Sequence, residues 1–290
     1  AYNMPLTGSG TEESLASITR DDLVDFHATW FRPNNATMIV VGDTTLSEIQ
    51  PKLEKLFAKW KAKDVPQKNI GMVELNDAER VYILDRPDAE QTLIITASIV
   101  PPTNNPDEVA LQAMNGVLGG GFTARVNMNL REDKAWAYGA GTAILSAAGP
   151  RPYIGYAPVQ TDKTALSMAE LRREMAEIRS TRPPEDDELA RVMDEKTLTL
   201  PGSWETAGAV AGSLASMVRY GYDDDYWDKY VAQVRSTSLS DVSKAAKDYV
   251  QPDRLVWVVV GDREKIEEEV RSLEYGEVTL LDVDGNPIAE

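Results

Sequence analysis

Cysteine is absent from this chain of 290 residues, and histidine occurs once, at His27. The first absence excludes disulfides, thiolate catalysis and cysteine-bound zinc together. The second removes the nitrogen ligands a zinc site normally needs and the base of a serine or cysteine triad. No window approaches ~18 uninterrupted apolar residues, and the opening AYNMPLTGSG has neither a basic start nor an apolar core, so no membrane span or signal peptide is expected. Positive charge is also scarce: 30 basic residues face 47 acidic ones, for a net charge of −17. With no basic stripe to override that field, a phosphate backbone is repelled, and nucleic acid is excluded as a partner. The acidic runs at 185–188, 223–225 and 267–269 read as solvated helix ends and faces, which together could favour basic ligands. A cysteine-free chain suits oxidising and reducing compartments alike, so composition leaves localisation unknown.

What is present is a globular composition, 42% hydrophobic and 27% charged, at a length that favours two domains over one. The most informative feature is an internal repeat. ITRDDLVDFHATWFRPNNATMIVVGD, residues 18–43, aligns without a gap on TSLSDVSKAAKDYVQPDRLVWVVVGD, residues 237–262, which puts Pro33 on Pro252 and Gly42 on Gly261. Each copy predicts the same local structure. Thr19 or Ser238 caps a helix whose apolar positions are Leu23, Phe26 and Trp30, or Val242, Ala245 and Tyr249; a proline then ends it. A short β-branched strand follows, ATMIVVGD or LVWVVVGD, and leads into an amphipathic helix, LSEIQPKLEKLFAKW or EKIEEEVRSL. Pro51 is expected near the start of the first of these helices, where proline is tolerated.

A spacing this long means duplicated domains rather than a solenoid. Structure from about Arg80 to Thr237 precedes the second copy, whereas only some seventeen residues precede Ile18. The expectation is therefore that roughly two thirds of one domain lies outside this chain, in a longer polypeptide. Between the copies, a polar linker near KAKDVPQKNIG gives way to strands at VYILDRP and QTLIITASIV. A helix follows Pro101-Pro102-Thr103-Asn104-Asn105-Pro106, NMNLRED is helical, AYGAGTAILSAAG and RPYIGYAPVQ are paired strands, and two helices follow at TALSMAELRREMAEIR and PEDDELARVMDEKTLTL. Strands joined as hairpins with helices gathered between them favour a two-layer α+β domain over a doubly wound one.

Three features invite a functional reading. His27 sits beside Phe26 and Trp30, has Ala246 as its counterpart, and lacks carboxylates on a common face, so it reads as a histidine at a helix–sheet boundary rather than a ligand. GGGF at 119–122 ends a helix; its glycines either cap and hinge that helix, in left-handed conformations or through close backbone approach, or line a ligand-binding loop. It lacks the strand-before context and the lysine of a phosphate loop. Arg131 and Tyr138 stand seven residues apart. If the helix breaks near Trp136, the arginine lies on its last turn and the tyrosine at the start of the adjacent strand, so both tips reach one surface. Both groups donate hydrogen bonds and can hold a peptide carbonyl and the oxyanion that develops from it. Composition by itself reads them as two structural residues.

LGGGFTARVNMNLREDKAWAYG resembles the second-half signature of the insulinase/pitrilysin family of zinc peptidases, in which a Gly-rich turn precedes a helix bearing Leu-Arg, with a tyrosine seven residues after the arginine. The two Pro…VVGD blocks resemble the same family's ITxxDLxxFxxxxxxPxNxxxxVVGD segment, and MPLTGSGTEESLASIT its approach. The resemblance implies two-layer α+β domains with a mainly antiparallel sheet and helices packed on one face, assembled into a clam-like enzyme. One domain carries an inverted H-x-x-E-H motif and a downstream glutamate; a distant domain closes over the peptide and supplies Arg131 and Tyr138 to the carbonyl or tetrahedral intermediate. Zinc there polarises the carbonyl and activates water while the motif's glutamate acts as base.

No such motif occurs in this sequence. The resemblance thus implies the non-metal half of an endopeptidase, inactive alone, with no cofactor or metal residue of its own and with zinc in an N-terminal domain or partner subunit. Its substrate would be a peptide or small protein. The ending GEVTLLDVDGNPIAE resembles the C-terminus of longer bacterial members, which implies residues 1–70 as the tail of a truncated third domain and 79–290 as a complete fourth. Bacterial periplasm or cell envelope is compatible with that resemblance. The competing reading is a non-catalytic relative, a scaffold or peptide-binding partner subunit, for which the Arg131–Tyr138 spacing would have no chemical use.

Overall fold

The computed structural model describes residues 10–69, 71 and 73–288; the MPLTGS part of the approach segment lies outside them. In chain order the elements are α1 (Glu12–Ser17), α2 (Arg20–Trp30), α3 (Leu46–Phe57), β1 (Arg80–Asp85), β2 (Gln91–Val100) and α4 (Glu108–Leu118). There follow α5 (Arg125–Asn127), a π-helical turn (Met128–Asp133), β3 (Gly141–Ile144), β4 (Arg151–Gln160), α6 (Thr164–Glu177) and α7 (Asp186–Leu198). The chain continues with α8 (Ala207–Tyr220), α9 (Tyr226–Ser236), α10 (Leu239–Tyr249), β5 (Val256–Gly261), α11 (Arg263–Ser272) and β6 (Glu277–Leu281). The described residues up to Gly71 form one compact unit with Leu200–Asp223, and the remainder form a second. Among the described residues no helix is long and apolar enough to cross a membrane.

The second unit is the α+β layer expected from the sequence. Its sheet has six strands in the order β3-β4-β2-β5-β1-β6. The ladders β3–β4, β4–β2 and β2–β5 are antiparallel, while β5–β1 and β1–β6 are parallel. Side chains alternate across the sheet, as strand geometry requires: in β4, Tyr153, Ala157 and Val159 point to the core while Pro152, Tyr156 and Gln160 are exposed. Helices α4, α6, α7, α10 and α11 cover the core side, burying Leu111, Met114, Met168, Leu171, Met175 and Trp257. Two prolines sit in β4 beside β2 without breaking the ladder. The Pro152 carbonyl accepts from the Leu145 nitrogen at 3.0 Å on the β3 side, so Pro152 and the same-parity Pro158 face away from β2. Both also lie beyond the residues β3 pairs, where no donor is required.

The repeat is present in both copies at the level of helices. Thr19 caps α2 and Ser238 caps α10, each in a reciprocal box with an aspartate: Thr19 N donates to Asp22 Oδ2 and Ser238 N to Asp241 Oδ2, both at 2.8 Å. Each helix has 11 residues and is followed by a 3-10 turn that starts at Pro33 or Pro252. The copies then diverge. Val256–Gly261 forms β5 between β1 and β2, but the corresponding stretch 37–42 forms no strand. A strand needs ladder partners, and no strand occurs among the described residues of the first unit. Burial diverges in parallel: Val242, Ala245, Trp257 and Val259 are 0–3% exposed, while their counterparts Leu23, Phe26, Met38 and Val40 are 47–61% exposed. Pro51 lies in the second turn of α3 rather than near its start. There its missing N–H costs one helical bond, and the loss is tolerated on an exposed helix with no buried residue.

Candidate functional site

The site begins where α4 ends. Five of its apolar residues are buried, through Leu118, and the next residue must bring the backbone directly against β3. Gly119 does so. Its nitrogen donates back to Asn115 O, and its carbonyl accepts from Thr142 N, both at 2.9 Å. A Cβ at Gly119 would stand 2.5 Å from that Thr142 nitrogen, and one at Gly141 would stand 2.5 Å from the Gly119 oxygen. The glycines therefore serve close approach. None of the three adopts the left-handed conformation that the sequence also allowed, and Gly119 has an extended φ of −162°. They cap the helix and line a cleft at the same time.

Two buried polar side chains hold the segment that follows. Arg125, 8% exposed, donates from Nε and Nη2 to the two oxygens of Glu188 at 2.7 and 2.6 Å, and also to the carbonyls of Arg182 and Pro183. Burial pushes the Glu188 carboxyl up, but the bidentate pairing with Arg125 outweighs it and leaves the group below its ordinary range. Asn127, 4% exposed, donates from Nδ2 to Phe122 O at 2.7 Å and accepts the Ala140 N–H at 3.1 Å. One amide thereby ties the Gly-rich loop to the stretch carrying Tyr138.

Arg131 lies on the π-helical turn, a wider winding than the ordinary helix the sequence predicted. The turn stops at Asp133, not near Trp136, and Ala135 follows with φ +54°. The nitrogens of Trp136 and Ala137 then both donate to the Leu130 carbonyl, folding the chain back so that Ala137 bridges Val159 of β4. Tyr138 comes next, 87% exposed, and the chain enters β3 three residues later. The two side chains line one cleft. The Arg131 guanidinium carbon is 5.6 Å from the Tyr138 ring centroid and 4.4 Å from that of Phe122. Glu132 is 3.4 Å from Nη1, a contact between partly exposed neighbours.

This geometry decides what the arginine can do. Aromatic rings attract a guanidinium, and its five N–H groups let it reach an acceptor besides. The cleft it lines has a volume of about 590 Å³, with Tyr156, Pro158 and Ala143 contributing apolar lining. Arg131 is the one charged side chain among the described residues that line it. The neighbouring backbone edge is closed: the outward N–H groups of Ala140 and Thr142 already donate to Asn127 and Gly119. An extended segment therefore cannot pair with those two N–H groups as a further strand.

Among the described residues no group of three or more His, Asp or Glu side chains could hold a metal. His27 is exposed on α2 and stacks on Phe31 with centroids 4.9 Å apart; with no strand among the described residues of its unit, it does not occupy the helix–sheet boundary expected for it. The donor set therefore does not fit zinc. The sequence reading named Arg131 and Tyr138, which line this cleft, and did not name Phe122 and Asn127, which line it too. GGGF was read for its glycines alone, and an asparagine inside an apparent helix gives no sign that it spans two loops.

A six-stranded mixed sheet with helices on one face defines a two-layer α+β domain, and its Gly-rich turn, Arg131 and Tyr138 line one cleft. Residues 17–196 match the family described as Peptidase M16 inactive domain, and the chain belongs to it. A zinc protease, PqqE, of Helicobacter pylori is 22% identical over 256 residues, covering 84% of this chain and 55% of that protein. An uncharacterized zinc protease of Mycobacterium leprae is 27% identical over 139 residues, 47% of this chain and 31% of its own length. The chain thus spans about a third to a half of these relatives. A peptidase M16 inactive domain from Pseudomonas fluorescens superposes with a TM-score of 0.79 at 21% identity, over 88% of this chain and 60% of that one.

Proposed function

We propose that this chain is the substrate-clamping, non-metal part of a zinc-dependent endopeptidase, in which Arg131 and Tyr138 donate hydrogen bonds to the peptide carbonyl and to the oxyanion that replaces it. The observation that carries this reading is the convergence of a guanidinium and a largely exposed phenol on one cleft, 5.6 Å apart. Preorganised donors of this kind are worth most where charge develops during the reaction. On this reading the metal belongs to an N-terminal domain or partner subunit. The named zinc proteases among the relatives support that assignment.

The division into residues 1–70, the tail of a domain whose sheet is completed by other polypeptide, and 79–290, a complete domain, is supported by the exposed apolar positions of the first repeat copy beside their buried counterparts in the second. The test of function uses the complete zinc-bearing polypeptide. Arg131→Ala is expected to lower kcat/KM by about 2–4 kcal/mol of transition-state stabilisation, as for lost oxyanion donors, with zinc content unchanged. Wild-type turnover in that variant would remove Arg131 from the mechanism.

A further inference from the structure

Phe122 has no part in the donor chemistry just described, yet its placement is unusual. It is 65% exposed on a run of three glycines, where an apolar ring gains little by burial and an ordinary loop would carry a polar residue. Its backbone is nevertheless fixed. The Phe122 carbonyl accepts from buried Asn127, whose own oxygen accepts from Ala140 two residues after Tyr138. The ring therefore stands at a set position over Arg131, 4.4 Å from the guanidinium carbon, with most of its surface directed to solvent. Tyr156, 42% exposed, lines the same cleft, together with Ala143 and Pro158. Apolar walls with a few placed donors are what a pocket needs to take a side chain whose neighbouring carbonyl is held.

We propose that Phe122 is a specificity-determining residue: its ring forms an apolar subsite for a large aromatic or aliphatic side chain flanking the carbonyl that Arg131 and Tyr138 hold. The inference rests on the clamp reading for the carbonyl and adds the class of residue beside it. Arg131 and the phenol fix the carbonyl, while Phe122 and the cleft floor select the side chain by contact area. A small or acidic side chain would leave the ring wet.

The test uses the whole chain and two probes, N-acetyl-phenylalanine methylamide and N-acetyl-alanine methylamide, titrated against the backbone amide signals of Gly119–Phe122 and Gly139 by NMR. The phenylalanine probe is expected to bind about tenfold more tightly, the lower end of what extra apolar contact supplies in a pocket. Phe122→Ala should bring the two probes level, and Phe122→Leu should keep most of the preference. Arg131→Ala should weaken both probes alike and leave their ratio intact. A ratio unchanged in Phe122→Ala, or cleft signals that move with neither probe, overturns the inference. Failure of the clamp shows separately, as Arg131→Ala binding both probes like the wild type.

Discussion

At the scale of single residues, the cleft depends on where a side chain is absent as much as on where one is present. Gly119 and Gly141 meet backbone to backbone, and a Cβ on either would fall 2.5 Å from an atom of the other's strand or loop. Gly119→Ala is expected to destabilise the fold by about 1–3 kcal/mol, the usual cost of forcing extra volume into a packed contact, read from urea unfolding. Gly121→Ala is the control, since a Cβ there would meet only the Glu195 Oε2 at 3.7 Å; a matching loss in both variants would refute the close-approach explanation. The spacing of Arg131 and Tyr138 was legible in the sequence because seven residues carry the chain from one helical turn to the next strand. The π-turn was not, since one extra residue in a helical winding leaves no mark in apolar periodicity. Nor was the Phe122–Arg131 stack, which depends on Asn127 joining two loops.

At the scale of elements, the segment bearing the cleft is held to the start of α7 by Arg125 and Glu188, whose carboxyl sits below its ordinary value of 4.5. A carboxyl depressed on folding contributes stability above its unfolded pKa and loses it as pH falls through the folded value. Thermal scans should therefore show the melting temperature falling as pH drops below about 4.5, and Glu188→Gln should start lower at neutral pH with a shallower fall. An equally steep fall in the variant would assign the acid lability to other carboxylates.

The repeat supplies a second comparison at this scale. Periodicity and capping identified α2 and α10 as equivalents, and both N-caps formed as the sequence indicated, each within a capping box. Periodicity could not show whether the strand after each helix would find partners, because a ladder depends on distant segments. Since α10 buries Val242, Ala245 and Ala246 while α2 buries nothing, hydrogen exchange in α10 should approach the global unfolding limit. Exchange in α2 should be faster by orders of magnitude. Equal protection in the two helices would mean that the first copy has a core of its own.

For the whole molecule, composition excluded more than it identified. The chain has no cysteine, one exposed histidine and no metal-holding cluster among its described residues. Fold class was legible from hairpin strands and interleaved helices; the mixed ladder order was not, because β5 enters the sheet between β2 and β1 from far along the sequence. The central claim is that two donors act on one oxygen. A double-mutant cycle of Arg131→Ala and Tyr138→Phe on kcat/KM in the zinc-bearing polypeptide measures this directly. The clamp predicts substantial losses in each single variant and a double variant that loses less than their sum, with a coupling of about 1–3 kcal/mol. Single variants with full activity, or losses that simply add, would contradict it.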